Sequence, residues 1–137
     1  MNEDMVILIA EDNAGHFQLI KKNLWLTCVN NDILLFKDGQ EILDFLFKNG
    51  SNIHPEEKKQ YVLLLDIRMP KVDGLEVLKI IKKDQRLRKI PVIMLTSVVT
   101  IYPKVNKVHE KAWSDADEYI PKPVEAGRLL QAIGALL

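Results

Sequence analysis

The sequence predicts an α/β protein: a three-layer sandwich in which a five-stranded parallel sheet is covered on both faces by helices, in a (βα)5 alternation. Three observations predict it. Short runs of Val, Ile and Leu recur along the chain, segments of helical apolar period separate them, and 137 residues suit one core rather than two. Strands buried on both faces of a parallel sheet read as continuous apolar runs rather than as an alternation of apolar and polar residues.

The runs are Val6 to Ala10, Ile33 to Phe36, Val62 to Leu65, Val92 to Leu95 and the weaker Tyr119-Ile120. The first helix sets Phe17, Ile20 and Leu24, with Trp25 beside them, at spacings of three and four. Asp38 is placed to cap the second, Glu41 returns the bond, and Ile42, Phe45 and Leu46 form its apolar stripe. The third helix runs from Leu75 through Leu78 to Ile81. The fourth begins at Pro103, a residue suited to a first helical position, and carries Val105, Val108 and Ala112. The fifth aligns Leu129, Leu130, Ile133 and Leu137. The polar stretch Asn49 to Gln60 has no apolar period and reads as a loop between the second helix and the third strand. Residues 1–137 are expected to form a single domain.

Composition narrows the class of function. Apolar residues at 47% and charged residues at 28% are globular proportions and exclude a disordered or collagen-like chain. The 19 basic residues cancel the 19 acidic ones, which disfavours binding to nucleic acid by phosphate neutralisation. Lys79 to Lys89 holds six basic residues against Asp84 alone, the ordinary dress of a solvated helix face. The N-terminus carries acids where a signal peptide needs positive charge. Ile90 to Val105, broken by prolines and hydroxyls, falls short of the ~20 apolar residues of a membrane helix. Cys28 has no second thiol to pair with, and a cytoplasmic protein with no membrane contact is expected. His16, His54 and His109 lack zinc-ligand spacing with Cys28, and His16, just past an acidic pair, is expected as an exposed helix residue. Trp25 and Trp113 are expected to pack against or edge the core.

The polar residues that interrupt the apolar pattern share one location. Glu11 and Asp12 follow strand one, Asp66 ends strand three, Thr96 ends strand four and Lys122 follows strand five. In an open parallel sheet these are the carboxyl ends, where ligands bind at the crevice in which strand order reverses. A 2-1-3-4-5 order makes strands one and three neighbours and brings the acids together. Clustered carboxylates repel one another unless a cation sits among them, and Mg²⁺ suits oxygen donors and phosphate. Taken singly, Asp66 reads as a helix cap, Lys122 as a solvated lysine and Thr96 as a β-branched strand residue. Together, a carboxylate nucleophile, a divalent ion, a hydroxyl and an ammonium are what phosphoryl transfer to Asp requires.

The segments ILIAEDN at 7 to 13, LLLDIRMPKVDG at 63 to 74, PVIMLTS at 91 to 97 and DEYIPKP at 117 to 123 resemble the receiver domain of two-component response regulators over essentially the whole chain. The resemblance implies the flavodoxin-like version of this fold, with Asp66 accepting a phosphoryl group from a sensor histidine kinase or phosphotransfer protein. It implies that Glu11, Asp12, Asp66 and the backbone carbonyl of Arg68 hold Mg²⁺, that Thr96 and Lys122 contact the phosphoryl group, and that Tyr119 is the aromatic switch. Pro70 and Gly74 match the family's turn after the phosphoacceptor strand, and Pro123 a position preceded by a cis peptide. The run FKDGQEILDFLF with its polar loop is similar to stand-alone receivers that accompany phytochrome-type kinases. The segment between Thr96 and Lys122 departs from the family, being a few residues longer around Val98 to Lys104.

The reading is a phosphorelay switch, with slow self-dephosphorylation as its only turnover. A Mg²⁺-dependent phosphatase of the haloacid dehalogenase type would want a second Asp two residues after the first, where this chain has Arg68. A receiver-like module that is never phosphorylated is the third reading, against which all five site residues are present. No output domain follows Leu137, so either the protein acts through protein contacts alone or the chain is part of something longer, and the signal is expected to leave through the face of helix four, strand five and helix five. Leu129, Leu130, Ile133, Leu136 and Leu137 are more apolar residues than one buried stripe needs, and a homodimer on that face is the candidate contact.

Overall fold

The computed structural model describes residues 5–26, 29, 31–50, 60–96, 116–121 and 125–135. The strands are β1 (Met5–Ala10), β2 (Ile33–Phe36), β3 (Gln60–Asp66), β4 (Val92–Thr96) and β5 (Glu118–Pro121). They form one parallel sheet of order β2-β1-β3-β4-β5. The helices are α1 (Ala14–Leu26), α2 (Gly39–Gly50), α3 (Gly74–Lys83) and a C-terminal helix, Ala126–Ala135. A single 3-10 turn, Leu87–Lys89, leads into β4. The expected fourth helix, with Trp113, lies outside the described residues, as do Cys28, His54 and His109.

Alternation across the sheet explains why the strands read as unbroken apolar runs. Leu8, Leu63, Leu65 and Met94 face one way and pack with Ile42, Leu46, Leu78 and Ile81 of α2 and α3. Ile7, Ile9, Val62, Leu64, Ile93 and Leu95 face the other way, onto Ile20 and Leu24 of α1 and Leu129 and Ile133 of the C-terminal helix. Each side chain of this kind, fully buried, contributes about 1.5–3 kcal/mol. Two packed faces therefore hold the sheet rigid beneath its carboxyl ends.

The helices α1, α2 and α3 each start on a side-chain cap. Asp38 caps α2, accepting the Glu41 N–H at 2.8 Å, while the Glu41 carboxylate accepts the Lys37 N–H at 3.0 Å. The reciprocal bond thus reaches one residue further back than a simple capping box would place it. Asp73 caps α3 by accepting the Glu76 N–H at 2.9 Å. Asn13 caps α1 by accepting the His16 N–H at 3.0 Å.

Three expectations need correcting. Trp25 does not pack on the core: it is 70% exposed. Ile20 and Leu24 fill the buried stripe, and the ~100° turn per residue carries position 25 away from it. The stretch expected as a loop from Asn49 to Gln60 is helical at Asn49 and Gly50, where α2 ends, and Gln60 already belongs to β3, while residues 51–59 lie outside the described residues. In the C-terminal helix Leu130 departs from the stripe of Leu129 and Ile133 and is 39% exposed. Leu136 and Leu137 lie outside the described residues. Among the described residues no helix is long and apolar enough to cross a membrane.

Candidate metal and phosphoacceptor site

The register of β1 and β3 builds the site. Ala10 pairs with Leu65, so the next residue of each strand, Glu11 and Asp66, emerge side by side at the carboxyl edge. The Glu11 N–H donates to the Phe36 carbonyl at 2.9 Å, extending the β1–β2 pairing one residue past the strand. Glu11 is 1% exposed and Asp66 5%, while Asp12 is open to solvent. Glu11, Asp12 and Asp66 each present a carboxylate oxygen, all within 4.8 Å of one another. Asp66 is not the cap of the following helix, since Asp73 does that work.

The loop from β3 to α3 is held backbone to backbone. The Gly74 N–H donates to the Ile67 carbonyl at 2.7 Å, and a Cβ at Gly74 would land on the Asp66 carbonyl oxygen. The Val72 N–H donates to the Pro70 carbonyl at 2.8 Å across Lys71, whose φ of 68° is left-handed, so the loop turns sharply through a γ-turn. Gly39 lets α2 approach this turn, because a Cβ there would strike the Val72 carbonyl oxygen. Lys71 Nζ also stands 3.5 Å from Asp38 Oδ2. The Glu41 N–H, with Lys71 assisting against the effect of burial, holds the Asp38 carboxyl below the usual carboxylate range.

Arg68 lies in this loop with its residue exposed. Thr96 is the last residue of β4 and pairs with Pro121, but its side chain lies outside the described residues, as do Lys122 and Pro123. Tyr119 pairs with Met94, packs against the α2–α3 side of the core and buries its hydroxyl oxygen. Arg128 Nη2 of the C-terminal helix donates to the Tyr119 carbonyl at 3.2 Å. The structure therefore brings Glu11, Asp12 and Asp66 together and sets Tyr119 two strands away.

Two residues at the rim touch Glu11: Asn13, which sequence reasoning passed over, and His16, which it placed near the acidic pair but expected only as an exposed helix residue. The Asn13 N–H donates to Glu11 Oε1 at 3.2 Å, and His16 Nδ1 lies 3.4 Å from the same oxygen. The signal was local: a cap at Asn13 turns the first helical residues back over the acids. An all-oxygen set of acids, two of them buried, fits a hard divalent cation such as Mg²⁺ or Mn²⁺.

A family model described as the response regulator receiver domain matches residues 7–134. The chain belongs to that family. Receiver domains carry phosphorelay signalling through an aspartate and work with histidine kinases or phosphotransfer proteins. This receiver is 39% identical over 97 residues to the probable methanogenesis regulatory protein FilR2 of Methanothrix harundinacea, a match covering 69% of the chain and 59% of FilR2. It is 32% identical over 96 residues to the response regulator Rcp1 of Synechocystis, covering 70% of the chain and 64% of Rcp1. It thus spans less than two-thirds of either relative. The solved bacteriophytochrome response regulator AtBRR superposes with a TM-score of 0.73 at 34% identity, over 96% of this chain and 91% of AtBRR. An Mn²⁺-bound form of Rcp1 superposes with a TM-score of 0.66 at 26% identity, over 96% and 90% of the two chains.

Proposed function

We propose that this receiver is a phosphorelay switch in which Asp66 takes a phosphoryl group from a sensor histidine kinase or phosphotransfer protein. The observation that carries the reading is the meeting of Glu11, Asp12 and Asp66 at the carboxyl edge of a sheet packed on both faces. In the transfer the phosphorus–nitrogen bond to the donor histidine breaks and a phosphorus–oxygen bond to Asp66 forms. As a carboxylate, Asp66 needs no base, only a fixed position, and the Gly74-to-Ile67 bond holds the backbone just beyond it.

Glu11, Asp12, Asp66 and the carbonyl of Arg68 are assigned to hold Mg²⁺, which supplies positive charge against the phosphoryl oxygens. Lys122 is assigned to pair with those oxygens and Thr96 to donate its hydroxyl to one of them. When Thr96 moves toward the phosphoryl group, Tyr119 takes up the space it leaves and biases the face of β5 and the C-terminal helix. Exposed Leu130 lies on that helix and suits a homodimer contact. The exposed Arg68, two residues past Asp66, offers no acid–base carboxylate, which disfavours a turnover phosphatase and leaves slow self-dephosphorylation. A cytoplasmic location suits these partners.

Acetyl phosphate with Mg²⁺, followed by intact-mass measurement, tests the assignment. The wild-type chain gains one phosphoryl group and Asp66→Asn gains none; equal incorporation by both would move the phosphoacceptor elsewhere.

A further inference from the structure

The loop from Asp66 to Asp73 carries the Arg68 carbonyl assigned to the metal, so whatever fixes the path of the loop fixes that donor. On the sheet side, the Ile67 N–H donates to the Leu95 carbonyl at 3.2 Å, the Ile67 carbonyl accepts the Gly74 N–H at 2.7 Å, and Met69 is buried in the core. On the outer side the loop leans on α2. The Pro70 carbonyl, which already accepts the Val72 N–H, also faces the Gly39 N–H at 3.5 Å, and the missing Cβ of Gly39 leaves room for the Val72 carbonyl. Asp38 serves both segments at once: Oδ1 accepts the Glu41 N–H at 2.8 Å and caps α2, while Oδ2 stands 3.5 Å from Lys71 Nζ. Lysine is a strained choice for this turn. Its φ of 68° lies where glycine meets no steric cost and a side chain does, and such conformations persist where the surroundings over-determine them. What lysine adds over glycine is the ammonium that meets Asp38. With its side chain 66% exposed, Lys71 gains little stability from the pair, so its contribution is to geometry.

Resting on the metal site assigned above, we propose that Lys71 is a positioning residue for that site: paired with Asp38, it clamps the loop to the start of α2 and so holds the Arg68 carbonyl in place for the cation. The clamp and the charge of Lys71 act in opposite directions. An ammonium repels Mg²⁺, so as a charge alone Lys71 weakens cation binding and its removal tightens it. As a clamp it strengthens binding, because Mg²⁺ demands near-ideal octahedral geometry and a loop free to drift presents its carbonyl in place less often. The sign of the change on removing Lys71 therefore separates the two roles.

Calorimetric titration of Mg²⁺ into the full chain tests this, using wild type, Lys71→Gln, Lys71→Arg, Asp38→Asn and Asp12→Ala, alongside urea unfolding of each without Mg²⁺. Asparagine is an effective helix cap, so Asp38→Asn removes the charge facing Lys71 and keeps an acceptor for the Glu41 N–H. Lys71→Gln and Asp38→Asn should each weaken Mg²⁺ binding about threefold to tenfold, at the low end of outer-shell effects on metal affinity, while Lys71→Arg stays within about twofold of wild type. The metal-free unfolding midpoints of both Lys71 variants should match wild type. Mg²⁺ binding that is unchanged or tighter in Lys71→Gln would overturn the proposal and leave Lys71 a solvated cation. A loss of binding accompanied by a lower metal-free midpoint would overturn it too, by making Lys71 a support of the fold. Mg²⁺ binding that survives Asp12→Ala would instead overturn the underlying metal site, and this inference with it.

Discussion

At the amino end of the sheet Asp117 closes a ring with the first residue of β4. Its N–H donates to the Val92 carbonyl at 3.0 Å, its carboxylate accepts the Val92 N–H at 2.8 Å, and Lys82 Nζ of α3 stands 3.5 Å from the same carboxylate oxygen. Nearby, Asp84 accepts the N–H groups of Arg86 and Leu87 at 2.8 and 3.0 Å, and those bonds hold its carboxyl below the usual range. At the carboxyl end Glu11, Asp12 and Asp66 are gathered against one another, although Glu11 also has the Asn13 N–H and His16 beside it. Acids that serve the fold sit beside N–H donors and cations. Acids that repel one another cost stability, and the packed sheet beneath tolerates that cost for the sake of a ligand.

Removing a bonded acid and removing a clustered acid should therefore give different signs, whereas a backbone clash costs stability at either end. The largest loss is expected for Gly74→Val, whose Cβ meets the backbone of Asp66 and Ile67 rather than a side chain that can swing aside. Urea unfolding should show a loss of about 3 kcal/mol, at the upper end of overpacking effects. Gly134→Ala in the C-terminal helix, where a Cβ meets nothing within 4 Å, should be neutral or slightly stabilising by the same measurement. Asp117→Ala comes next: it leaves the Val92 N–H without its acceptor and should cost about 1–3 kcal/mol.

Asp38 sharpens the contrast, because it lies at the carboxyl end but is bonded like the acids of the other end. Asp38→Ala should cost about 0.5–2 kcal/mol through loss of the α2 cap. Its carboxyl is lowered in the folded chain, so its stabilisation is complete above the ordinary carboxylate pKa of about 3.9 and is lost as pH falls through the lower folded value. Unfolding midpoints followed from pH 6 to pH 2 should fall less steeply for Asp38→Ala than for wild type; parallel curves would remove Asp38 as a source of acid sensitivity. The smallest effect is expected for the exposed Trp25, where Trp25→Ala should change stability by no more than about 0.5 kcal/mol.

The central strands β1, β3 and β4 were legible in the sequence because burial on both faces leaves their interiors apolar, so their polar ends stand out. The same contrast made Glu11, Asp12 and Asp66 legible as one group. Trp25 was misread because an apolar residue next to a stripe looks like part of it until the helical rotation is followed. The cap at Asn13 was hidden by Ala14 and Gly15, which give no apolar start to α1. Lys71 carries no sign of its left-handed φ, since neither Gly nor Asn marks the turn; the loop's backbone bonds impose it. His16 drew attention only as a neighbour in sequence, because its approach to Glu11 depends on where the Asn13 cap starts the helix.

Unfolding free energies of wild type and Asp66→Asn, measured with and without Mg²⁺, ask most directly whether the clustered acids exist for a cation. Without Mg²⁺, Asp66→Asn should be the more stable protein, on the order of 1 kcal/mol, because one of the repelling charges is gone. Adding Mg²⁺ to about a hundredfold above its Kd should stabilise wild type by about 2.7 kcal/mol and Asp66→Asn by much less, reversing the order. If Asp66→Asn is the less stable protein without Mg²⁺, and both proteins respond to the ion alike, Asp66 serves the fold and the cation site is not where the three acids meet.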